Sequence, residues 1–412
     1  MEIRPIISTL LRQRTGPLLV ALQVAISLAI LANAVFVVQQ RVAASQRPSG
    51  VAQEENVGYV FVQPLQKYSH PDNLAAQKRE RDAIATVPGV ASVAWASQMP
   101  MSRSGNSSSV RLSADQAKET ATPAFYYAQP GWAATMGLKF VEGRDMVEGD
   151  VVEVDPQTVK PGEGQPDTAI VTRALAKLMF PDATSYMGKV FYWGADGGKP
   201  TRITGVVETL QTPGASALPM GEYSVILPVR MSYPFSRYVI RAEPGQVERV
   251  LKDAREAVSK AGANPVWTFT RTVTEDRYNR YRNDRAMAWM LVAISVLLLL
   301  VTVSGIVGMT ALRVAQRRKQ IGVRRALGAR WRDILRYFIV ENLIITTGGI
   351  VAGLLLALAL NRFLMAQAGM ARLPLEYLAF GAAALWTLGI CAVYGPASRA
   401  ASISPAIATR TA

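Results

Sequence analysis

Long apolar runs and short alternating ones divide this chain into two kinds of sequence. Four runs, Pro17–Val38, Ala286–Leu312, Phe338–Leu360 and Leu375–Tyr394, are long enough to cross a hydrocarbon core of about 30 Å. Between the first and the second, Pro48 to Thr270 carries frequent turn residues and short alternating segments, the pattern of an α+β fold. Its two ends look alike. Strand Tyr59–Gln63, helix Asp72–Thr86 and strand Val90–Ala96 at the start are matched by strand Tyr238–Arg241, helix Gln246–Lys260 and strand Val266–Thr270 at the end. Two such units are expected to pack as one split ferredoxin-like sheet. Residues 110–235 carry strands Ile170–Thr172, Lys189–Trp193, Arg202–Val207 and Val225–Leu227 and a short helix Arg173–Phe180, and read as an inserted second lobe. The segments Gln39–Gln46 and Thr272–Arg285 read as helical stalks that continue out of the membrane, with a solvated linker as the plainer alternative.

Charge orients this pattern. The formal net charge is +15 over 412 residues, which on a soluble chain would suggest nucleic acid. Its distribution says otherwise, because the large middle is close to neutral. Nine basic residues fall between Arg313 and Arg336 against Asp333 alone. Arg4, Arg12 and Arg14 precede the first run, the basic loop joins the second and third, and Arg399 and Arg410 follow the fourth. Four crossings put all three groups on one side, and the positive-inside rule makes that side cytoplasmic. Tyr377, Tyr394, Trp289 and Trp331 suit interfacial belts. Ala32-Asn33-Ala34 resembles a signal-peptidase site, but the apolar run continues past it through Val38, longer than the usual signal core of about 7–15 residues. An uncleaved helix is expected.

The chemistry on offer is narrow. One cysteine, Cys391, and one histidine, His70, leave no disulfide framework and speak against a His/Cys metal site or a catalytic triad. The nearest approach to a phosphate-binding loop, Gly194 to Thr201, has the wrong spacing and a proline after Lys199; its Asp196-Gly197 reads as a hairpin turn. Metal, cofactor and nucleic acid are therefore not expected on this chain, nor nucleotide hydrolysis of its own. Glu341 and Asn342 are placed within the first turn or so of the third crossing, which leaves no central membrane charge and argues against an ion-coupled transporter.

The most informative residues are Gln316 to Ala329, Gln-Arg-Arg-Lys-Gln-Ile-Gly-Val-Arg-Arg-Ala-Leu-Gly-Ala. Ile321, Arg324, Arg325 and Gly328 recur at helical spacing, with Val323, Ala326 and Leu327 as an apolar arc beside them. Gly328 is a natural stop. A short amphipathic helix is expected at the cytoplasmic surface, resting on lipid headgroups or docked in a groove of a partner.

This segment resembles the coupling segment of the MacB/FtsX-type permeases of ABC transporters, also called type VII. Trp132 to Leu138 with Glu142-Gly143-Arg144-Asp145, Thr172 to Pro181 with Gly188-Lys189 and Ile203 to Val207, and Pro396 to Pro405 resemble further blocks of that family in the same order. The family usually has an acidic residue where this chain has Gln320. The resemblance implies four membrane helices around an α+β extracytoplasmic domain: a split ferredoxin-like porter lobe with an inserted second lobe. It also implies a permease of the cell inner membrane, N- and C-termini cytoplasmic, that works by moving its outer domain.

Two copies of a separate ABC ATPase, carrying the ATP and Mg, would bind the helix. Some family members fuse that ATPase to the permease; this chain is expected to rely on a separate one. Ile321, Val323, Ala326 and Leu327 would enter the ATPase groove. Arg317, Arg318, Arg324 and Arg325 would meet its acidic rim or lipid phosphates. A second permease, identical or paralogous, would face Gln23 and Ser27, and a periplasmic adaptor is a further partner. Small residues such as Gly305, Gly308 and the Gly349/Gly353 pair allow close helix contacts, within one subunit or between two. The chain then divides into a cytoplasmic N-terminus 1–16, helix and stalk 17–47, outer domain 48–270 with its lobe 110–235, stalk and helix 271–312, cytoplasmic loop 313–337, helix 338–360, outer loop 361–374, helix 375–394 and tail 395–412. Export of a peptide or small toxic compound is expected. A lipoprotein-releasing permease, a non-transporting activator of a cell-wall hydrolase, and a peptide sensor relaying to a kinase remain as alternatives.

Overall fold

The structure, a computed structural model, describes residues 10, 15–160, 163–194, 198–262, 264–368 and 371–402. Arg4, Arg12, Arg14, the Asp196-Gly197 turn, Arg410 and the end of the Pro396–Pro405 motif lie outside them. The chain separates into two compact units, 44–283 and a second formed by 1–43 with 284–412.

Helix α1 (Thr15–Ser45) runs unbroken through Ala32-Asn33-Ala34. Beyond it, the outer unit starts with β1 (Val57–Pro64), α2 (His70–Ala85) and β2 (Val90–Ala96). Then follow β3 (Val110–Arg111), β4 (Ala124–Ala128), α3 (Trp132–Met136), β5 (Phe140–Gly143), β6 (Val152–Val154), β7 (Thr168–Thr172) and α4 (Arg173–Met179). The unit closes with β8 (Val190–Trp193), β9 (Thr201–Val207), β10 (Ser224–Met231), β11 (Ser236–Ala242), α5 (Val247–Ala261) and β12 (Val266–Thr272).

The two matched ends form the sheet that their likeness predicts. Its order is β12-β1-β11-β2, antiparallel throughout, which is the ferredoxin-like arrangement of two interleaved strand-helix-strand units. Strand β1 is apolar on both faces because both are covered. Val60 and Val62 pack with Val250, Leu251, Ala254 and Val258 of α5, while Tyr59 and Phe61 enter a second core. The inserted residues form a lobe with a core of its own, in which Phe125, Val171, Leu175, Phe191, Ile203 and Val225 pack, and its strands run on from this sheet. The sheet continues through β4, β10, β7, β9, β8 and β3, joined by the single pairing Ala96↔Ala128. The second core also mixes Tyr59 and Ala94 with Tyr126, Trp132, Ile170 and Ile226. The block Trp132 to Asp145 is structural. Trp132 is fully buried, Gly137 ends α3 at φ 66°, and Arg144 pairs with Asp150 at 2.6 and 3.0 Å.

Helix α2 sits on the sheet through polar groups. The Ser69 hydroxyl caps it by accepting Asp72 N–H at 3.3 Å. Gln77 donates to Asn73 Oδ1 and Met231 O at 2.8 and 3.0 Å. Buried Glu80 accepts the Tyr238 hydroxyl at 2.6 Å. Burial raises the Glu80 carboxyl above its usual range, although the Tyr238 hydrogen bond opposes this. A raised folded-state value means that the folded state holds the proton longer than the unfolded chain does. The stability Glu80 contributes is therefore present at low pH and lost as pH rises through the raised value. Glu80→Gln, which cannot ionise, gains on wild type across that rise; melting curves of the two full-length proteins from mildly acidic to neutral pH measure the difference.

The outer unit extends beyond the expected limits of 48 and 270 because the adjoining helix ends are bonded into it. Arg277 pairs with Glu54 at 2.8 Å and donates to Ser45 O and Arg47 O, and the Tyr281 hydroxyl bonds Gln211 Oε1 at 3.2 Å. Residues 273–283 begin α6 (Val273–Gln316), 44 residues long, so Thr272–Arg285 is helical from its second residue rather than a solvated linker. After it come α7 (Arg318–Ala326), α8 (Trp331–Ala368) and α9 (Leu375–Ala401).

Among the described residues, helices α1, α6, α8 and α9 are long and apolar enough to cross a membrane. All four outrun their apolar runs; α8 begins at Trp331, so Glu341 sits well inside it, not in its first turn. Helix α9 continues through Pro396 to Ala401 where a tail was expected, held by the packing of Ala397, Ala400 and Ala401. Tyr377 packs edge-to-face on Phe36 of α1, ring centres 5.3 Å apart, while Trp289 and Tyr394 are exposed.

Small residues set the helix contacts. A Cβ added at Gly349 would lie 2.6 Å from Ala21 O, and one at Gly353 2.9 Å from Ala25 O, so α1 lies close against α8. The Ser27 hydroxyl bonds that of Thr302 at 2.7 Å, and Gln23 Oε1 lies against Gly305. The expectation that Ser27 faces a second permease is thereby corrected. Ser27 is 2% exposed and taken up by α6 of the same chain, while Gln23 lies against that helix and stays half-buried. Gly349→Leu is expected to force α1 off α8 and lower the melting temperature of the solubilised monomer, read in detergent, where a subunit-contact role would leave the monomer unchanged.

Candidate functional site

The cytoplasmic loop is built from the end of α6, helix α7 and the start of α8. A break at Arg317, φ −103° and ψ 12°, separates α7 from α6. Its far end closes as expected from Gly328. That residue takes φ +97°, Gly328 N–H bonds Arg325 O at 3.1 Å and Ala329 N–H bonds Arg324 O at 3.0 Å. This is a Schellman stop, which a residue with a Cβ enters only under strain.

The apolar arc of the segment splits in two. Ile321 is 6% exposed and packs with Ile334 and Phe338 of α8 and Ala397, Ala400 and Ala401 of α9. It anchors α7 from behind and does not enter a partner groove, which corrects the expectation for this residue. Val323 and Leu327 are 48% and 83% exposed, and Ala326 is exposed beside them. At spacings of three and four they form one stripe on the free face of the helix.

The arginines also divide. Arg318 is exposed and Arg325 half-buried. Arg317, expected at a partner's rim, turns inward: it donates to the Tyr337 hydroxyl at 2.8 Å and pairs with Glu341 at 3.4 Å. Glu341 is 2% exposed and also pairs with Arg313 of α6 at 3.1 Å. One buried carboxylate thus ties α6, the joint before α7, and α8. The guanidinium of Arg324 lies 5.3 Å from the centre of the Tyr337 ring. Sequence reasoning missed Arg313, Tyr337 and Glu341 as parts of this site. The signal was there in Glu341, an acid at the head of an apolar run facing a basic loop, but its partners lie 24 and 28 positions away on other elements.

Among the described residues no group of three or more His, Cys, Asp or Glu is placed to hold a metal. What the arrangement offers is mechanical: a short helix fixed at its back and at one end, with an apolar stripe facing out.

Residues 19–257 match the model of the MacB-like periplasmic core domain, and residues 292–405 match that of the FtsX-like permease C-terminal region. The chain belongs to the MacB/FtsX-type permease family. It is 30% identical over 233 residues to a macrolide export ATP-binding/permease protein MacB of Bradyrhizobium diazoefficiens, covering 55% of this chain and 35% of that protein. It is 33% identical over 127 residues to a pyoverdine export ATP-binding/permease protein PvdT of Pseudomonas syringae pv. tomato, 31% of this chain and 19% of that protein. The chain thus spans about a third or less of the length of these two relatives. The extracellular domain of the noncanonic ABC-type transporter YknZ from Gram-positive bacteria aligns with 53% of this chain and all of that one, at 15% identity and a TM-score of 0.34. As a MacB/FtsX-type permease the chain is a membrane protein with four helices of membrane-spanning character and an α+β periplasmic domain.

Proposed function

We propose that this chain is the permease subunit of an ABC-type export complex, driven by a separate ATPase that docks on α7. The exposed stripe Val323, Ala326 and Leu327 carries this reading. An apolar stripe on a basic surface helix costs solubility unless a partner covers it, and a helix laid in an apolar groove is a recurrent way of covering one. Arg318 and Lys319 flank the stripe and would meet an acidic rim.

The rear contacts give the docked helix leverage. Ile321 in its apolar seat and Glu341 between Arg313 and Arg317 leave α7 little room to swing, so a push on it passes into α6 and α8. Helix α6 reaches residues bonded into the outer unit, as α1 does at Ser45. Two ATPase copies closing on ATP and Mg would move two permeases, identical or paralogous, with N- and C-termini in the cytoplasm as the basic segments require. Movement of the periplasmic domain would then drive cargo release, with a periplasmic adaptor as a further partner. The relatives named for macrolide and pyoverdine export support a small-molecule cargo.

The test is reconstitution of the permease with its ATPase in proteoliposomes. The permease should stimulate ATP hydrolysis, cargo should stimulate it further, and deletion should sensitise cells to that cargo. If deletion instead leaves chains of unseparated cells with unchanged compound sensitivity, a wall-hydrolase activator replaces export.

A further inference from the structure

We propose that the cleft between α7 and the start of α8 is a binding site for the phosphate of an anionic phospholipid headgroup. The cleft, about 440 Å³, is walled by Arg317, Arg324, Arg336 and Tyr337, with Ile334 and Phe338 as its apolar floor. Its charges do not balance. Glu341 is divided between Arg313 and Arg317. Asp333, the one acid on the wall, accepts Arg330 N–H at 2.9 Å at the head of α8. Among the described residues Arg324 and Arg336 have no carboxylate partner. Gln320, also on the wall, supplies an amide where a carboxylate would neutralise the pair.

A phosphate answers this excess, since guanidinium forks match its oxygens and the Tyr337 hydroxyl adds a polar contact. The apolar floor selects a lipid over a free ion. Phe338 opens the apolar run of α8, so cations and hydrocarbon meet where the helix passes from basic to apolar residues. Basic pockets at the ends of membrane helices have this composition where they hold acidic headgroups. A lipid here would wedge α7 against α8 beside Tyr337, apart from the outward stripe, so the site stands whichever protein docks on that stripe.

The experiment titrates the purified full-length permease, in a neutral detergent, with phosphatidylglycerol and reads bound lipid by native mass spectrometry. Phosphatidylcholine and inorganic phosphate are the controls. Phosphatidylglycerol is expected to bind and phosphatidylcholine not to. Each guanidinium near an acidic headgroup is worth about a fivefold change in affinity, so Arg324→Gln with Arg336→Gln should weaken binding about thirtyfold. Arg318→Gln with Lys319→Gln removes the same charge outside the cleft and should leave binding unchanged. Gln320→Glu, which keeps both arginines, should also weaken it.

Equal binding of phosphatidylcholine, full competition by inorganic phosphate at matching concentration, or equal loss in the control pair overturns the proposal. So do cleft variants that keep the lipid but lose the co-purifying ATPase, which would give the cleft to a protein partner.

Discussion

Leu327→Asp is expected to leave the permease in the membrane and to abolish co-purification of the proposed ATPase partner. Leu327 is 83% exposed and follows the last helical residue of α7, so the substitution breaks no contact in the free subunit. Docking would bury its side chain, worth about 2 kcal/mol, and an aspartic acid held unpaired in an apolar groove, even in its neutral form, costs about 2 kcal/mol more. The sum corresponds to about a thousandfold loss of affinity. Co-purification from native membranes, with membrane insertion checked on the same sample, measures it. Val323→Asp should behave alike, whereas Ile321→Asp should destabilise the permease itself. ATPase retained at wild-type level by Leu327→Asp would remove α7 as its docking helix.

Glu341→Gln should be the most damaging single change in the cytoplasmic half. It leaves Arg313 and Arg317, whose side chains are 11% and 15% exposed, without their shared carboxylate. Breaking a buried ion pair by removing one partner costs about 3–5 kcal/mol, because the remaining charge stays desolvated. Replacing the opposing charge as well recovers most of that cost, so Glu341→Gln with Arg313→Met is expected to melt closer to wild type than Glu341→Gln alone. Thermal unfolding in detergent measures the set. A Glu341→Gln protein as stable as wild type would mean that the three side chains do not act as one tie.

The parts of the fold that sequence disclosed are those whose signal is local. Four apolar runs need only length, and the two strand-helix-strand ends share a pattern that sets the order β12-β1-β11-β2. The parts it hid depend on distant partners. Strand β4 pairs in parallel with β10, about a hundred residues later, and that pairing, not its own short sequence, makes it a strand; its other edge meets β2 at Ala96↔Ala128 and joins the inserted lobe to the sheet. Helix α2 carries Asn73, Gln77 and Glu80 on its buried face, so polarity there does not mark the solvent side.

The same holds for the site. Residues 316–329 announced an amphipathic helix with apolar residues over a broad arc. Which part of that arc is covered was decided by Ile334, Phe338 and Ala397 to Ala401, far along the chain. Ile321 therefore turned inward while Val323 and Leu327 stayed free. Ser27 is hidden from sequence for a related reason: a polar side chain in a membrane helix needs a partner, but only the packed helices show that Thr302 of the same chain supplies it.

Docking of a separate ATPase on α7 should cover the Val323–Leu327 face. Site-specific photo-crosslinking in native membranes, with the photoreactive residue placed in turn at 321, 323 and 327, tests it most directly. Positions 323 and 327 should capture the ATPase, and 321 should crosslink only within the permease. Capture of the ATPase from 321, with 323 and 327 yielding none, would contradict it.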